Sequence, residues 1–408
     1  MTRRIVVRIF LLLALIAVPL TIYVAPGVAA TIYRVILLLA PIWLPLALVA
    51  LAIPLWFTFV RSQYVSSIPY TVIELKPGPE TAKSAHAMEI VFYALYYRTT
   101  ISLASAVLLG QVRLPWSFEV YAHKGIVRFF VYLPTAHRAA VEARIRAEYP
   151  DVDIDEARDY SRELAFDPFS MRLDMREYSL SKPDPYPIKT YVAYEEEKNP
   201  RFMFNEFLEG LVSLGEHEHL FLSWIVMPHQ RERRKWWQTP VDMLHADAES
   251  EITKIVGAHG NLHELSSNKQ VLVAAIEKAL QKPSFDCGVR ALYIAHRKEF
   301  NENRVNVLDT LLEQFNDPEL NAFASYDPRE QVGWPLSEAF IAAPILSMNY
   351  LMNLYRRRAF FNPPYYGRSF VLNTEELATV FHLPHIAHAS PLAKGSGVHL
   401  EPPENLPV

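Results

Sequence analysis

The run VILLLAPIWLPLALVALAIPLWFTFV, residues 35–60, contains no charged side chain. A helix needs about 20 apolar residues to cross a hydrocarbon layer of about 30 Å, so this run is long enough. A preceding run, IFLLLALIAVPLTIYVAPGVAATIY (residues 9–33), is also uncharged. Within it, Ala25-Pro26-Gly27 suits a chain reversal, because proline lacks a backbone donor and glycine permits a left-handed turn. We therefore predict a transmembrane helical hairpin over residues 1–66.

Arginines at the ends of the two runs predict the orientation of the hairpin. Three precede the first run, one separates the runs and one follows the second: Arg3, Arg4, Arg8, Arg34 and Arg61. Because Lys and Arg accumulate on the cytoplasmic side of membrane proteins, both ends should face the cytoplasm, with Arg34 at the hairpin tip. We expect a multi-pass protein of the inner (cytoplasmic) membrane whose soluble domain lies in the cytoplasm.

Two other interpretations of the apolar runs stay open. The first run could be a cleaved signal peptide, with Val28-Ala29-Ala30 as its small-residue cleavage site. Either run could instead be a core helix of a soluble protein, although helices apolar on all sides are rare outside membranes. Pro41, Pro45 and Pro54 in the second run predict kinks and contacts with other membrane helices, because neighbours must satisfy the carbonyls that proline leaves free.

Charge and cysteine content narrow the functions of the remaining chain. The 408 residues carry a net charge of −4, and residues 1–61 hold five arginines and no acid, which leaves 35 basic and 44 acidic side chains beyond them, a net charge of −9. An acidic domain argues against nonspecific nucleic-acid binding as its main task, since such binding depends on neutralising phosphates. Cys287 is the single cysteine, which excludes a disulfide within the chain and suits a reducing cytoplasm.

Residues 67–160 follow a β-α-β-β-α-β pattern. Alternating apolar residues predict the strands, apolar residues at helical spacing predict the helices, and Lys124-Gly125 predicts the tight turn of the central hairpin. The predicted elements are a strand at 70–76, a helix at 84–97, strands at 116–123 and 126–133, a helix at 134–149 and a strand at 151–155. This order is that of a ferredoxin-like module.

The same pattern restarts after a proline-rich connector, residues 161–187. We predict a second ferredoxin-like module over residues 188–330, with a helical insertion at 228–286 and an internal duplication at the level of topology. Its expected elements are a strand at 188–194, a helix at 200–214, strands at 220–227 and 289–296, a helix at 301–315 and a strand at 321–325. The insertion should contain helices at 240–256 and 269–280.

The last segment, residues 331–408, is predicted to be helical and then extended. A helix over 336–360 should be interrupted at Pro344. Thr374 can cap a second helix that has Glu375 and Glu376 in its first turn. The fold class is therefore α+β, with a transmembrane hairpin, two modules and a C-terminal segment.

Two stretches carry a resemblance to known proteins. The segment FVLNTEELATVFHLP (370–384), followed by PPENLPV (402–408), resembles the region before the motor domain in conjugation-type ATPases of the type IV secretion and DNA-translocase group. LSKPDPYPIKTYV (180–192) resembles a segment of uncharacterised membrane proteins encoded beside such ATPases. The sequence itself contains no G-x-x-x-x-G-K-[ST] loop to hold nucleotide phosphates.

The resemblance implies a non-enzymatic scaffold of a type IV secretion-like or DNA-translocating apparatus. Its partners would be the membrane, a separate P-loop ATPase and other secretion components. The ATPase-docking segment would include Asn373, Thr374, Glu375, Glu376 and Phe381. A homo-oligomer and an indirect contact with nucleic acid are compatible with this role. A membrane-tethered enzyme with a site between the two modules is the alternative from another class.

Two basic clusters are candidate contact sites. The first combines four cations with two indoles, a mixture that suits anionic headgroups or stacked single-stranded nucleic acid: Arg231, Arg233, Arg234, Lys235, Trp236 and Trp237. Arg356, Arg357 and Arg358 form the second, which could contact DNA, lipid or an acidic partner. A solvated turn and a solvated helix end are the plain alternatives. The uncharged run 101–109 could be core or could enter the membrane interface.

No pattern in the sequence predicts a catalytic, cofactor or metal site. His217 and His219 lack a third ligand at a defined spacing and are expected at an exposed strand start. Cys287, with His296 further along the same strand, is expected to serve packing rather than nucleophilic catalysis. Asp151, Asp153 and Asp155 alternate on one side of an edge strand and should be solvated.

Overall fold

The computed structural model describes residues 23, 26–78, 85–97, 101–196, 214–230, 241–257, 265–332, 336–363 and 365–383. The chain divides into two compact units, Met1–Val60 and Arg61–Val408. The α+β class is confirmed, because helices accompany an extended sheet in which every pairing is antiparallel.

The apolar region forms helices α1 (Pro26–Leu38) and α2 (Ala40–Ser67). By length and composition, α2 is the one helix among the described residues that could span a membrane. It stays helical through Pro45 and Pro54. Arg34 lies inside α1, and the Leu39 amide donates to the Val35 carbonyl at 3.0 Å, so the prediction of a hairpin tip at Arg34 was wrong. Most of the first predicted span lies outside the described residues, and the membrane orientation stays a prediction.

The second unit is built on one nine-stranded antiparallel sheet. The strands follow the order β4-β1-β3-β2-β6-β7-β5-β8, and β9 pairs with the start of β7. Their bounds are β1 Tyr70–Lys76, β2 Trp116–His123, β3 Ile126–Pro134, β4 Asp153–Ala157, β5 Met171–Leu180, β6 Glu218–Pro228, β7 Ser284–His296, β8 Phe323–Tyr326 and β9 Phe370–Asn373. Strands β2 and β6 meet at the middle of the sheet, with Trp116 opposite Val226 and His123 opposite His219.

Helices lie between the strands in both halves of the sheet. They are α3 Ala85–Leu95, α4 Leu103–Leu108, α5 Arg138–Glu148, α6 Tyr160–Glu163, α7 Tyr191–Glu196, α8 Met243–Val256, α9 Ser267–Leu280, α10 Glu302–Thr310, α11 Leu336–Ala342, α12 Pro344–Arg356 and α13 Thr374–Val380. Helices α8 and α9 confirm the helices predicted at 240–256 and 269–280. The predicted interruption at Pro344 is also confirmed, because α12 begins at that residue.

The first strand of the second half was assigned to the wrong segment. Residues 191–196 are helical, and β5 lies inside the predicted connector. In β5, buried Met171, Leu173 and Met175 alternate with charged residues, which is the pattern of a half-buried strand. The Ile188 amide instead donates to a carboxylate oxygen of Glu376 at 2.8 Å, so this backbone is satisfied by the C-terminal segment.

The C-terminal segment is an integral part of the folded unit, on both faces of the sheet. Helix α12 covers one face, where Leu351 and Tyr355 join Phe130 and Phe221 in a buried cluster. Strand β9 and α13 contribute to the core on the other face, together with α3 and the middle strands. The described C-terminal helices and strand β9 therefore belong to the same folded unit as the sheet.

The loop after α12 packs tightly against β7. At two glycine positions, Gly288 and Gly367, there is no room for a side chain. A Cβ atom built on Gly288 would lie 2.3 Å from the Phe360 ring, and one built on Gly367 would lie 2.4 Å from it. Both distances are far below van der Waals contact, so only glycine fits beside this ring. The ring thereby holds the loop against the sheet.

Candidate functional site

The loop that follows α12 is fixed by a buried arginine. Arg358 adopts a left-handed backbone conformation, with φ of 48°, and its guanidinium donates to both carboxylate oxygens of Glu119 at 2.9 and 3.0 Å. It also donates to Asp159 at 2.7 Å. Burial alone would lower the pKa of Arg358, but the charges and hydrogen bonds of Glu119 and Asp159 outweigh it and raise the pKa. This side chain is a structural cation.

A second buried ion pair holds the same loop to the other half of the sheet. Arg290 and Glu177 lie opposite each other on β7 and β5, and both side chains are fully buried. The Arg290 guanidinium donates to Glu177 Oε1 at 2.9 Å and to the carbonyl oxygens of Leu354 and Ala359 at 3.2 and 2.9 Å. The hydroxyl of Tyr365 donates to Glu177 Oε2 at 2.6 Å. The loop is thus bonded to both halves.

This loop forms one wall of a cavity of about 740 Å³, which we call the arginine cavity. The end of α2 and the β1–β3 region form the other walls. The polar and charged residues that line it are Ser62, Ser66, Tyr70, Thr71, Ser117, Tyr132, Glu156, Asp159, Arg162, Arg356, Arg357, Arg358 and Asn362.

The arginine cavity carries an excess of positive charge. Among the described residues, Arg356 donates only to the carbonyl oxygens of Ser161 and Leu164, at 3.0 and 2.8 Å. Arg357 is exposed and makes no side-chain hydrogen bond or ion pair within the described part of the chain. The Arg162 Nε atom lies 3.3 Å from Asp159, a carboxylate already bonded to Arg358. An anion with several oxygen atoms could therefore accept hydrogen bonds from up to three guanidinium groups in this cavity, those of Arg162, Arg356 and Arg357.

Burial affects one of these cations directly. It lowers the pKa of Arg356; the charge of Asp159 opposes this shift and the charge of Arg162 adds to it. Glu156, the other acid of the cavity, already pairs with Arg138. An anion entering the cavity would relieve the mutual repulsion of Arg356 and Arg162.

A larger cavity, of about 950 Å³, shares Phe360 and Asn362 with the arginine cavity and is called the histidine cavity. His229 Nδ1 lies 2.5 Å from Asp286 Oδ1, and Arg113 donates to Asp286 Oδ2 at 2.6 Å. Burial alone would lower the pKa of His229. The hydrogen bond to Asp286 and the charges of Asp286 and Asp242 outweigh burial, so the pKa is raised above its usual value. Burial also raises the pKa of Asp184 to about 6.

Neither ring nitrogen of His229 is available to a substrate, although the residue lines the cavity: Nδ1 is bonded to Asp286. Its Nε2 atom is buried, has no hydrogen-bond partner among the described residues and lies 3.8 Å from Asp242, the N-cap of α8. A general base needs a nitrogen within reach of a substrate proton. The arrangement of Arg113, Asp286, His229 and Asp242 is instead a chain of ion pairs that ties α8 to the end of β6.

The structure separates the three arginines that the sequence grouped. Arg356 and Arg357 line the arginine cavity, as a contact site requires. Arg358 is buried and neutralised within the fold, so its prediction as a partner contact was wrong. Arg231, Arg233, Arg234, Lys235, Trp236 and Trp237 lie outside the described residues, and their contact role stays a prediction.

The predicted ATPase-docking side chains lie in the interior. Asn373, Thr374, Glu375, Glu376 and Phe381 are all buried. Asn373, rather than Thr374, is the N-cap of α13 and forms a capping box with Glu376. A docking surface must be exposed, so the assignment of these five side chains to docking was wrong.

Their contacts show why they are buried. Lys282 donates to Glu375 at 2.6 Å, which compensates the buried carboxylate. Phe381 packs between Phe118 and Trp224, with ring centroids 5.2 and 5.3 Å away. The segment therefore joins the two halves of the sheet at their central strands.

Glu376 provides a test of this burial. Burial raises its pKa to about 8, although hydrogen bonds from the Asn373 and Ile188 amides oppose the shift. The folded state therefore holds a proton that the unfolded state loses near pH 4.5, so stability should fall as pH rises from about 5 through 8. Glu376→Gln cannot ionise. It should be less stable at low pH, because its NH₂ group cannot accept an amide hydrogen bond, but its stability should decline less over this range than that of the wild type.

Urea unfolding of the full chain in detergent between pH 5 and 9 measures this difference. The exposed Glu299→Gln serves as the control and should keep the wild-type pH dependence. An unchanged slope in Glu376→Gln would show that Glu376 ionises in the fold like an exposed residue.

The remaining candidates have structural environments. His217 is exposed as predicted, but His219 is buried, bonds to the Tyr121 hydroxyl at 2.9 Å and has its pKa lowered to about 4, mainly by burial. Cys287 is buried, which confirms packing. Asp153 and Asp155 are exposed on the edge strand β4, as predicted. Across the described ranges, no cluster of three or more His, Cys, Asp or Glu residues is arranged to hold a metal ion.

The sequence of the folded domain matches a known protein family. A family described as "Domain of unknown function (DUF8128)" matches residues 69–392. The chain belongs to this family. The DUF8128 match begins just before β1 and includes all nine strands, α12 and α13. Comparison with curated proteins finds no match.

Several residues of the two cavities had no signal in the sequence. Arg162 belongs to the short helix α6 and lines the same cavity as Arg356, which lies nearly 200 positions later in the DUF8128 domain. His229, Asp286 and Arg113 come from three distant segments. Residue spacing cannot show such long-range contacts.

Proposed function

We propose that the protein is a membrane-anchored, non-enzymatic scaffold whose folded domain lies on the bilayer surface and holds a partner there. The observation that supports this most is α2, a 28-residue apolar helix whose last residues belong to the folded unit. A helix of this length is sufficient to cross the hydrocarbon layer. The arginine and histidine cavities both include residues from the end of this helix.

Exposed leucines beside Arg61 also support contact with the bilayer surface. Leu103, Leu108 and Leu109 are 49, 65 and 61% exposed, and residues 99–112 contain no charge. Leu103 and Arg61 line the same cavity, so α4 lies near the residue that ends the apolar run of α2. Exposed leucine in an uncharged segment is typical of an element that enters the headgroup region.

Alkaline extraction of membranes tests the anchor. The full chain, expressed in bacteria, should stay in the membrane pellet after washing with carbonate at high pH, which removes proteins bound only through surface charges. Release of the chain into the supernatant would contradict an integral anchor.

We further infer that each half of the sheet is a ferredoxin-like module. Strands β1–β4 follow the order 4-1-3-2, and β5–β8 follow the same order from the opposite edge. This symmetry supports a duplicated module whose halves join through β2 and β6. A chain with two equivalent halves offers two related surfaces to a partner.

The partner proposed from the resemblance is a P-loop ATPase of a secretion or DNA-translocating apparatus. With residues 373–381 buried, contacts would have to come from exposed surfaces of the domain. Affinity purification of the tagged full chain from detergent-solubilised membranes of the native organism tests this. Retention of a P-loop ATPase that is lost from an untagged control is the expected result; retention of no secretion component would reject this partner.

A further inference from the structure

We propose that the arginine cavity is a binding site for the phosphate group of an anionic phospholipid such as phosphatidylglycerol. The choice of a lipid rather than free phosphate rests on the proposed membrane anchor. The site consists of the Arg162, Arg356 and Arg357 guanidinium groups, and Ser62, Ser66 and Tyr132 are among the polar residues of the other walls.

The charge of the arginine cavity is the first reason for proposing a phosphate ligand. Within the described part of the chain, no carboxylate lies within 4.0 Å of the Arg356 or Arg357 guanidinium, and Asp159 is shared between Arg162 and Arg358. Guanidinium groups present paired N–H donors that match phosphate oxygens. Cations kept together without enough acids around them are best explained by an anionic ligand.

Position along α2 is the second reason. Ser62 and Ser66 follow Arg61 in the same helix, and a rise of 1.5 Å per residue places Ser66 about 9 Å beyond Val60, the end of the apolar run. Lipid phosphates lie just outside the hydrocarbon layer, within this distance of its edge. A cavity that begins at this level can take a headgroup while the acyl chains stay beside the helix.

Size and rigidity are the third reason. A volume of about 740 Å³ is within the usual range for small-molecule sites and exceeds what a bare phosphate fills. The adjoining Arg358 is locked to Glu119 and Asp159, so the backbone that carries Arg356 and Arg357 is held in place before a ligand binds.

Calorimetric titration of the full chain in a neutral detergent tests the site. The probes are dihexanoyl phosphatidylglycerol, dihexanoyl phosphatidylcholine and inorganic phosphate. We expect phosphatidylglycerol to bind, with an affinity about fivefold lower in Arg357→Gln and about thirtyfold lower in the double variant Arg356→Gln/Arg357→Gln. Phosphatidylcholine and phosphate should bind much more weakly than phosphatidylglycerol.

The control removes two cations elsewhere. Arg144→Gln/Lys269→Gln changes two exposed residues outside the cavity and should bind phosphatidylglycerol like the wild type. Arg357→Gln removes no side-chain bond to any residue that the structure describes, so a loss of affinity at an unchanged urea midpoint cannot be attributed to unfolding. Equal binding by the wild type and both cavity variants would overturn the site. Inorganic phosphate binding as tightly as phosphatidylglycerol would overturn the lipid as ligand.

Failure of the anchor can be distinguished from failure of the site. Carbonate extraction depends on the apolar helices and should give the same result for the wild type and all variants. A chain that binds phosphatidylglycerol through Arg357 but is extracted by carbonate would reject the anchor alone. A chain that resists extraction but shows no dependence on Arg357 would reject the site alone.

Discussion

Arg290→Met should lower the free energy of unfolding by about 3–5 kcal/mol, because it leaves the Glu177 carboxylate buried without its cation. Both side chains of this pair are fully buried, and the arginine also satisfies the carbonyl oxygens of Leu354 and Ala359. Methionine retains much of the volume but supplies none of these hydrogen-bond donors. Urea unfolding of the full chain in detergent, followed by tryptophan fluorescence, measures the change.

Two further variants isolate the cause of that loss. Arg172 lies on β5 and pairs with Glu302, the first residue of α10, but both side chains are substantially exposed. Arg172→Met should therefore lower the free energy of unfolding by no more than about 1 kcal/mol. Adding Glu177→Gln to Arg290→Met removes the buried charge and should restore part of the stability, since the amide oxygen can still accept a bond from Tyr365. Equal effects of Arg290→Met and Arg172→Met would show that the pair does not hold the sheet to the C-terminal loop.

Arg358→Gln should destabilise the protein by about 3–5 kcal/mol, whereas Arg357→Gln should leave its stability nearly unchanged. Arg358 compensates the fully buried Glu119 carboxylate and the largely buried Asp159. Arg357 is exposed and has no such partner within the described chain. The two adjacent residues have the same chemistry, so burial is the main difference between them.

The two variants should change different measured quantities. Arg357→Gln should weaken phosphatidylglycerol binding without a change in the urea midpoint. Arg358→Gln should shift the midpoint strongly. Should Arg358→Gln unfold at the wild-type urea concentration, the buried role assigned to its guanidinium would be incorrect.

Local features of the fold could be read from the sequence. The β2–β3 hairpin follows from Lys124-Gly125, whose φ values of 52° and 74° are those of a tight hairpin turn. Alternation predicted β1, and helical spacing predicted α5, α8 and α9. These elements depend on residues close together in the chain, where periodicity carries the information.

Long-range features could not be read in this way. Strand β5 was missed because its charges and the prolines on either side of it suggested a linker, and its partner β7 lies more than 100 positions away. Arg358 looked like its two neighbours because its partner Glu119 is 239 positions distant. The helical periodicity of residues 374–381 was visible, but burial of every side chain in α13 depends on packing by α3 and α7. Contact with distant elements, rather than local propensity, decides these outcomes.

The central claim, that the folded domain lies on the bilayer surface, is tested most directly by a depth measurement at α4. Leu108→Cys labelled with an environment-sensitive fluorophore, in the full chain reconstituted into phosphatidylglycerol vesicles, can be compared with Val271→Cys, an equally exposed position in α9. Burial raises the pKa of the Cys287 thiol, which should leave it unlabelled. Blue-shifted emission and quenching by spin-labelled lipid at position 108 but not at 271 is the predicted result; the same emission and no quenching at both positions would contradict it.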